Sequence, residues 1–473
     1  MSQEVKQSQT GPTGSRPINR LKSMYALRAT LDKAYQETAA AQKGGRPIAW
    51  SMFNNNYEPS FLNAMGLESV YPENYSSKAA SMGEAVPLEE RSASEGFPTH
   101  LCGYAQACLG YAAMMADCGG EIPPKAPGEG MPKPALLIGS SFVCDARFKW
   151  FQAMGSYLET PLWVFEVPDS GYNEAWTTDQ YEQDIKMLVR ELREFGAFLE
   201  RLLGKKMDWD KFGEDSLATI QMNDVWYEIN ELRQARPCPM HSRDFWASTF
   251  ASFFRATDPA LVRDLYLQEL AEVKYRVAHK ISGINRPEKY RILVDGLPPW
   301  QKLGVFDPLA ERGWNCVYEM LYHPPKPLDL SHISDPVERL ARYCQRRPQD
   351  MFDDLTPAEE KMIQNEIKQR GYCRDLLEGG RFFKRLRLNR LPQDYRIDGV
   401  FLHIPRTCRA VAAGMRSRAQ DFMKMWHVPS LTIEGDHIDT RLFDAEQILR
   451  KAEAFEETME HYRQVRKDQG LDW

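Results

Sequence analysis

The sequence predicts an α/β protein made of two similar units, each a parallel sheet flanked by helices. Three observations carry this. Short apolar runs of strand length alternate with stretches of helical periodicity, the pattern of parallel strands buried on both faces. The runs fall into two sets, one on each side of residue 285. The chain of 473 residues is also long enough to divide into two or more domains with sizeable cores.

In chain order, residues 1–17 are polar and read as a disordered tail. A domain over 18–285 begins with a helix at 18–43, whose stripe is Leu21, Met24, Tyr25, Leu31 and Tyr35. Strands are expected at Arg46–Phe53, Glu68–Tyr71, Ala135–Gly139 and Pro161–Val167, with a short helix over Phe61–Gly66. A long helix follows at 178–203. Its apolar positions Tyr181, Ile185, Leu188, Leu192, Phe195, Leu199 and Leu202 step by four and three, and Gly204 closes it. That stripe suits packing, on its own domain or on a partner, better than a free coiled coil. Further helices are expected near 215–235 and 259–284. The second domain, 286–473, carries strands at Arg291–Asp295, Asn315–Met320, Gly399–His403 and Ser430–Glu434. Its last helix starts with Asp444 and Gln447 in capping-box spacing and has Ile448, Ala452, Phe455, Met459 and Tyr462 on one face. Residues 325–395 read as a helical insertion that ends in a basic run at 381–387, a solvated face or a contact for phosphates or a partner.

Composition narrows the function. A net charge of −6 argues against general nucleic-acid binding. The polar N-terminus has no apolar signal core, and no run approaches membrane-span length, so a cytoplasmic, membrane-free protein is expected. Nine cysteines over this length are no disulfide framework, and they should be free for metal or redox chemistry. There is no G-x-x-x-x-G-K-[ST] loop for ATP, no G-x-G-x-x-G, no G-x-S-x-G, no H-E-x-x-H and no C-x-x-C. Any metal ligands are therefore dispersed. Cys102, Cys144 and Cys408 each flank a loop near the end of a strand segment, where parallel sheets place their sites. Position alone leaves each of them open between a ligand and a small buried hydrophobe, the commoner role.

Several segments narrow that choice. VYPENY (70–75), EGFPTHLCGYAQACLGY (95–111), SSFVCDARFKWFQ (140–152), RILVDGLPPW (291–300), HIPRTCRAVAAGM (403–415) and the stretch 429–459 occur in order. Together they resemble the family of 2-hydroxyacyl-CoA dehydratases and ATP-dependent benzoyl-CoA reductases. The resemblance implies two Rossmann-like domains with a [4Fe–4S] cluster between them, held by Cys102, Cys144 and Cys408. It implies low-potential, single-electron chemistry on an acyl-CoA substrate. ATP would be used by separate activase-type subunits fed by a donor such as ferredoxin, and the chain would pair with a smaller homologous iron–sulfur subunit. VYPENY and EGFPTHLCGY look most like the larger iron–sulfur catalytic subunit of benzoyl-CoA reductase, which implies dearomatisation of an aryl-CoA ring to a cyclic dienoyl-CoA. The alternatives are a radical (R)-2-hydroxyacyl-CoA dehydratase subunit, an electron-relay subunit that never meets substrate, or a metal-free binding protein. Glu58 and His100 are the candidate proton donors, His100 if its pocket is dry, and His403 has a similar ambiguity.

Overall fold

The computed structural model describes residues 16–52, 56–141, 144–168, 178–324, 326–345, 365, 391–471 and 473. Most of the insertion at 325–395, its basic run and Cys373 lie outside them, as do residues 1–15 of the tail. The last two residues of the tail, Arg16 and Pro17, are tied down: their carbonyls accept hydrogen bonds from Asn285.

Two four-stranded, all-parallel sheets form the frame. The first contains β1 (Ile48–Ser51), β2 (Glu68–Val70), β3 (Leu136–Ser140) and β4 (Leu162–Phe165), in the order β2-β1-β3-β4. The second contains β5 (Tyr290–Asp295), β6 (Trp314–Glu319), β7 (Gly399–Pro405) and β8 (Ser430–Gly435), in the equivalent order β6-β5-β7-β8. Both are the α/β architecture expected, and all but the β4 and β8 edges are buried almost throughout. The repeated order puts a topological switch point between β1 and β3, and a second between β5 and β7. Crevices of this kind open at the carboxyl ends of the strands.

Helices cover the sheets. In the first unit they are α1 (Met24–Lys43), α2 (Pro59–Ala64), α3 (Pro72–Ser81), α4 (Val86–Ser94), α5 (Gly103–Asp117), α6 (Asp145–Leu158), α7 (Thr178–Leu203) and α8 (Trp209–Glu231). Two more, α9 (Ser242–Phe254) and α10 (Pro259–Ala278), lead into the second unit. That unit adds α11 (Phe306–Glu311), α12 (Pro336–Cys344), the single turn α13 (Arg409–Ala412), α14 (Met415–Trp426) and α15 (Ala445–Asp468). The stripe of α7 packs on its own domain: Phe195 meets Phe165 at 4.8 Å and Phe61 at 5.5 Å between ring centroids. Leu202 departs from the expected seam and is 37% exposed. Tyr25 departs likewise at 80%, because α1 starts only at Met24 and turns Leu27 inward instead. Asp444 caps α15 by accepting the Gln447 amide, as its spacing suggested. No described helix is long and apolar enough to cross a membrane.

One apolar core joins the two units. It runs from Trp50 and Leu137 of the first sheet through Trp246, Phe250 and Trp300 to Phe306, Trp314 and Phe401 of the second. Ring pairs link it, with Phe250–Trp300 at 4.9 Å, Trp246–Phe306 at 5.0 Å and Phe306–Phe401 at 5.3 Å. Helix α12 comes from the second half of the chain but packs on the first, through Val337, Leu340 and the 2.7 Å Arg342–Glu182 ion pair.

Two features of this packing are testable. Helices α4 and α5 cross so closely that a Cβ on Gly110 would stand 1.8 Å from the Leu88 carbonyl oxygen. Gly110→Ala should therefore cost about 1–3 kcal/mol and lower the urea midpoint; an unchanged midpoint would speak against the close approach. Glu89 of α4 is buried against Asp439 and Asp436 of the second unit, with Arg441 at 3.5 Å. Burial and those carboxylates push its carboxyl up from 4.5 to about 8 against the pull of Arg441. The folded state then keeps a proton that the unfolded chain has already released, so stability falls as pH rises across that window and levels off above it. Glu89→Gln should unfold with the wild type near about pH 4.5 and several degrees above it beyond about pH 8. Parallel melting profiles across that range would sink the assignment.

Candidate functional site

The loops at the carboxyl ends of the two sheets meet at one joint, and three cysteines stand at this rim. Cys102 precedes the first residue of α5, Cys144 that of α6 and Cys408 that of α13. Each has extended or polyproline-like backbone before the chain turns helical. Cys144 follows β3 and Cys408 follows β7, the equivalent strand of the second sheet, so both sit at the switch points. All eight described cysteines are free thiols. Cys108 and Cys316 are fully buried in α5 and β6, away from the rim.

The three rim thiols feel one another. Burial raises the Cys102 thiol well above its usual value, and the charge of Cys408 adds to this; the Ala105 and Tyr104 amides oppose it. Burial pushes Cys408 up to about 11, opposed by the Val411 amide and reinforced by Cys144. Cys144 is also raised by burial, against the Arg147 amide and guanidinium. Left alone, the thiols stay protonated. Nearby positive charge from a bound metal group would reverse that preference. Among the described residues no three His, Cys, Asp or Glu side chains converge tightly enough to hold a metal ion.

Hydrogen bonds close the joint beside these thiols. The Gly103 amide donates to Thr407 Oγ1 at 3.2 Å, and Thr407 donates to the Asp436 carboxylate. Asp436 also accepts the Ile438 and Asp439 amides at 2.8 and 3.0 Å. A side chain on Gly103 would come 3.0 Å from Asp436 and 3.2 Å from Ile438 Cβ, so glycine next to Cys102 lets the second unit approach. Arg409 and Asp145, the neighbours of Cys408 and Cys144, pair across the joint at 2.7 Å. Trp300 Nε1 donates to the Tyr104 hydroxyl at 2.7 Å.

One charged group the sequence reading overlooked stands among them. Glu73, the second residue of α3 after β2, accepts two bonds from the buried guanidinium of Arg147 at 2.8 and 2.6 Å. Its charge acts on Cys102, Cys144 and Cys408, and on Tyr104, Tyr322 and His437. The available signal was the segment VYPENY, where a strand runs through Pro into a helix start and leaves a carboxylate at the sheet edge.

Glu58 is buried at the same edge, after β1. Its Oε1 accepts from Ser51 at 2.6 Å and Tyr71 at 3.0 Å. His100 lies on an exposed turn, without the dry surroundings that a proton donor there would need: its two neighbouring carbonyls, of Thr99 and Leu101, are held by Gln106. His403 is buried with Nδ1 on the Leu297 carbonyl, and burial lowers it to about 4.

The chain is similar to known proteins along most of its length. The chain is 22% identical to the alpha subunit of (R)-2-hydroxyglutaryl-CoA dehydratase from Acidaminococcus fermentans, over 92% of this chain and 97% of that protein. It is 23% identical to the alpha subunit of (R)-phenyllactyl-CoA dehydratase from Clostridium sporogenes, over 94% and 97%. It is 24% identical to a subunit of benzoyl-CoA reductase from Thauera aromatica, over 76% and 77%. The profile of one family covers residues 59–459, which include all three rim cysteines and every strand but β1, and the chain belongs to that family: the 2-hydroxyglutaryl-CoA dehydratase, D-component family.

Proposed function

We propose that this chain is the iron–sulfur subunit of an ATP-activated radical enzyme acting on an acyl-CoA. The observation that carries the reading is the trio Cys102, Cys144 and Cys408: three free thiols, two from one unit and one from the other, coupled electrostatically at one joint. They suit a multi-iron cluster better than a single ion. A cluster takes its thiolates at different irons, so the sulfurs need not meet at one point. When bound, a [4Fe–4S] cluster supplies one low-potential electron at a time. Three protein thiolates also leave one of its irons without a protein ligand.

The chain's own residues do the rest. Arg147 pairs with Glu73 and places positive charge beside Cys144. Glu73 holds a carboxylate within electrostatic reach of all three thiols, in the position for moving a proton at the reacting substrate. Glu58, bonded through Oε1 to Ser51 and Tyr71, is a second buried carboxylate at this edge, whereas His100 is exposed. Tyr104, Tyr322 and Trp300 line the inner side and exclude water.

Of the two reactions expected, dehydration of a 2-hydroxyacyl-CoA now leads. The dehydratase relatives match more than nine-tenths of the chain, the reductase relative about three-quarters. Ring reduction stays as the second reading, favoured by the segments VYPENY and EGFPTHLCGY. In either case the chain would work with an ATP-hydrolysing activase and a homologous iron–sulfur subunit, for it has no phosphate-binding loop of its own.

Two measurements test this. After anaerobic purification, Cys102→Ala, Cys144→Ala and Cys408→Ala should each lose most of the bound iron and sulfide, while Cys316→Ala keeps them. Full iron in the triple variant would refute the ligand set. With partner subunits added, a dehydratase needs ATP only in catalytic amounts, whereas ATP consumed in proportion to every turnover would move the assignment to a reductase.

A further inference from the structure

Buried histidines in this chain spend at least one ring nitrogen on the protein, with one exception. His403 binds the Leu297 carbonyl through Nδ1, and His241 accepts the Arg243 amide through Nδ1. His437 is fully buried at the end of β8, and neither of its nitrogens has a hydrogen-bond partner among the described residues. Its contacts are the Tyr104 ring, edge-on at 4.3 Å between centroids, and Asp436 Oδ1 at 3.8 Å. Two more unmet polar atoms are found close by. One is His403 Nε2, whose ring is electrostatically coupled to His437. The other is Oε1 of Gln301, whose Nε2 is bonded to the Asp436 carbonyl at 2.6 Å. Buried polar atoms are rarely left unpaired, and a group of four calls for water or ligand among them.

His437 also faces the site. Tyr104 lies two residues beyond Cys102, and the charge of Glu73 reaches the imidazole. On the other side Gln301 leads through the Asp439 carbonyl toward the half-exposed Arg441. An imidazole with both nitrogens unspent can take a proton on one and release one from the other.

We infer that His437 is a catalytic proton relay of this site: one ring nitrogen donates its N–H proton to the substrate after that substrate has gained an electron, while the other takes a proton from ordered water held by His403 and Gln301. The imidazole starts and ends neutral, in opposite tautomers. The water regains its proton from solvent, and the electron comes from the one-electron reductant of the assembled enzyme. Burial favours the neutral imidazole that this exchange needs, against the pull of Asp436 and Glu73. The inference rests on the acyl-CoA reading above.

Two measurements test it separately from that reading. A high-resolution crystal structure of the anaerobically prepared full chain with its partner should show water or ligand within hydrogen-bond distance of both His437 nitrogens; a dry imidazole overturns the relay. In the assembled enzyme, His437→Gln should lower kcat roughly 100-fold, leave KM for the acyl-CoA within about threefold, and increase the solvent deuterium isotope effect on kcat. Wild-type kcat with full iron content in that variant overturns the relay too. Should the variant lose iron or fold poorly, the hydration of His437 in the wild-type crystal decides. An inactive wild-type assembly would count against the acyl-CoA reading, with the same crystal still deciding whether His437 is solvated.

Discussion

Everything at this site depends on the direction of eight strands. In a parallel sheet all strands end on one edge, so loops far apart in sequence are delivered to the same rim. Here two such sheets, with matching strand order, bring the loops of their carboxyl edges together at one joint. The loop after β3 delivers Cys144 and the loop after β7 delivers Cys408, although 264 residues separate them in the sequence. Glu73 arrives after β2, Trp300 after β5, and Asp436 with His437 after β8. No local motif is needed, because the strand order performs the convergence.

That is also why the fold was readable in the sequence and the site only in part. The strands are continuous apolar runs, and helices such as α7 and α15 carry complete stripes, so periodicity alone locates them within a few residues. Tyr25 and Leu202 show the limit of the pattern, since a stripe drifts at a helix end where packing stops holding it. Local spacing says nothing about which cysteines share a rim. Only the ordered resemblance over both halves singled out Cys102, Cys144 and Cys408, and their placement at three loop-to-helix junctions is what the structure adds. Glu73 and His437 were missed for another reason. Each lies in a segment that carries the resemblance, but an acid or imidazole becomes informative only through its surroundings, such as the buried Arg147 against Glu73 or the unspent nitrogens of His437.

The joint between the units is polar where it meets the site and apolar behind it. The aromatic series from Trp246 to Phe401 supplies the non-directional attraction. The chain from the Gly103 amide through Thr407 to Asp436 supplies the direction, since a hydrogen bond tolerates little misplacement. Burying Asp436 costs free energy, which the Thr407 hydroxyl and the Ile438 and Asp439 amides offset by donating to its carboxylate. Glu89, across the same joint, is buried beside Asp439 and Asp436, and its one ion pair, to Arg441 at 3.5 Å, does not keep it from rising. Two carboxylates in one interface thus take opposite charge states, decided by the donors each can reach.

A ligand set drawn from both units has a thermodynamic consequence that a compact motif lacks. If Cys102 and Cys144 come from one unit and Cys408 from the other, a metal group binds fully only when the units are closed. By linkage it then stabilises the closed joint by the same free energy with which closure tightens its hold. The protein contacts beside the thiols join the same two units: the Arg409–Asp145 pair and the Gly103–Thr407 bond. Dispersed cysteines at a domain joint would then link occupancy of such a site to the hold between the units. The three thiols, raised by burial and by one another, resist ionising until positive charge arrives among them. Burial disfavours bare thiolates there, and coordination to a metal group would be what stabilises them.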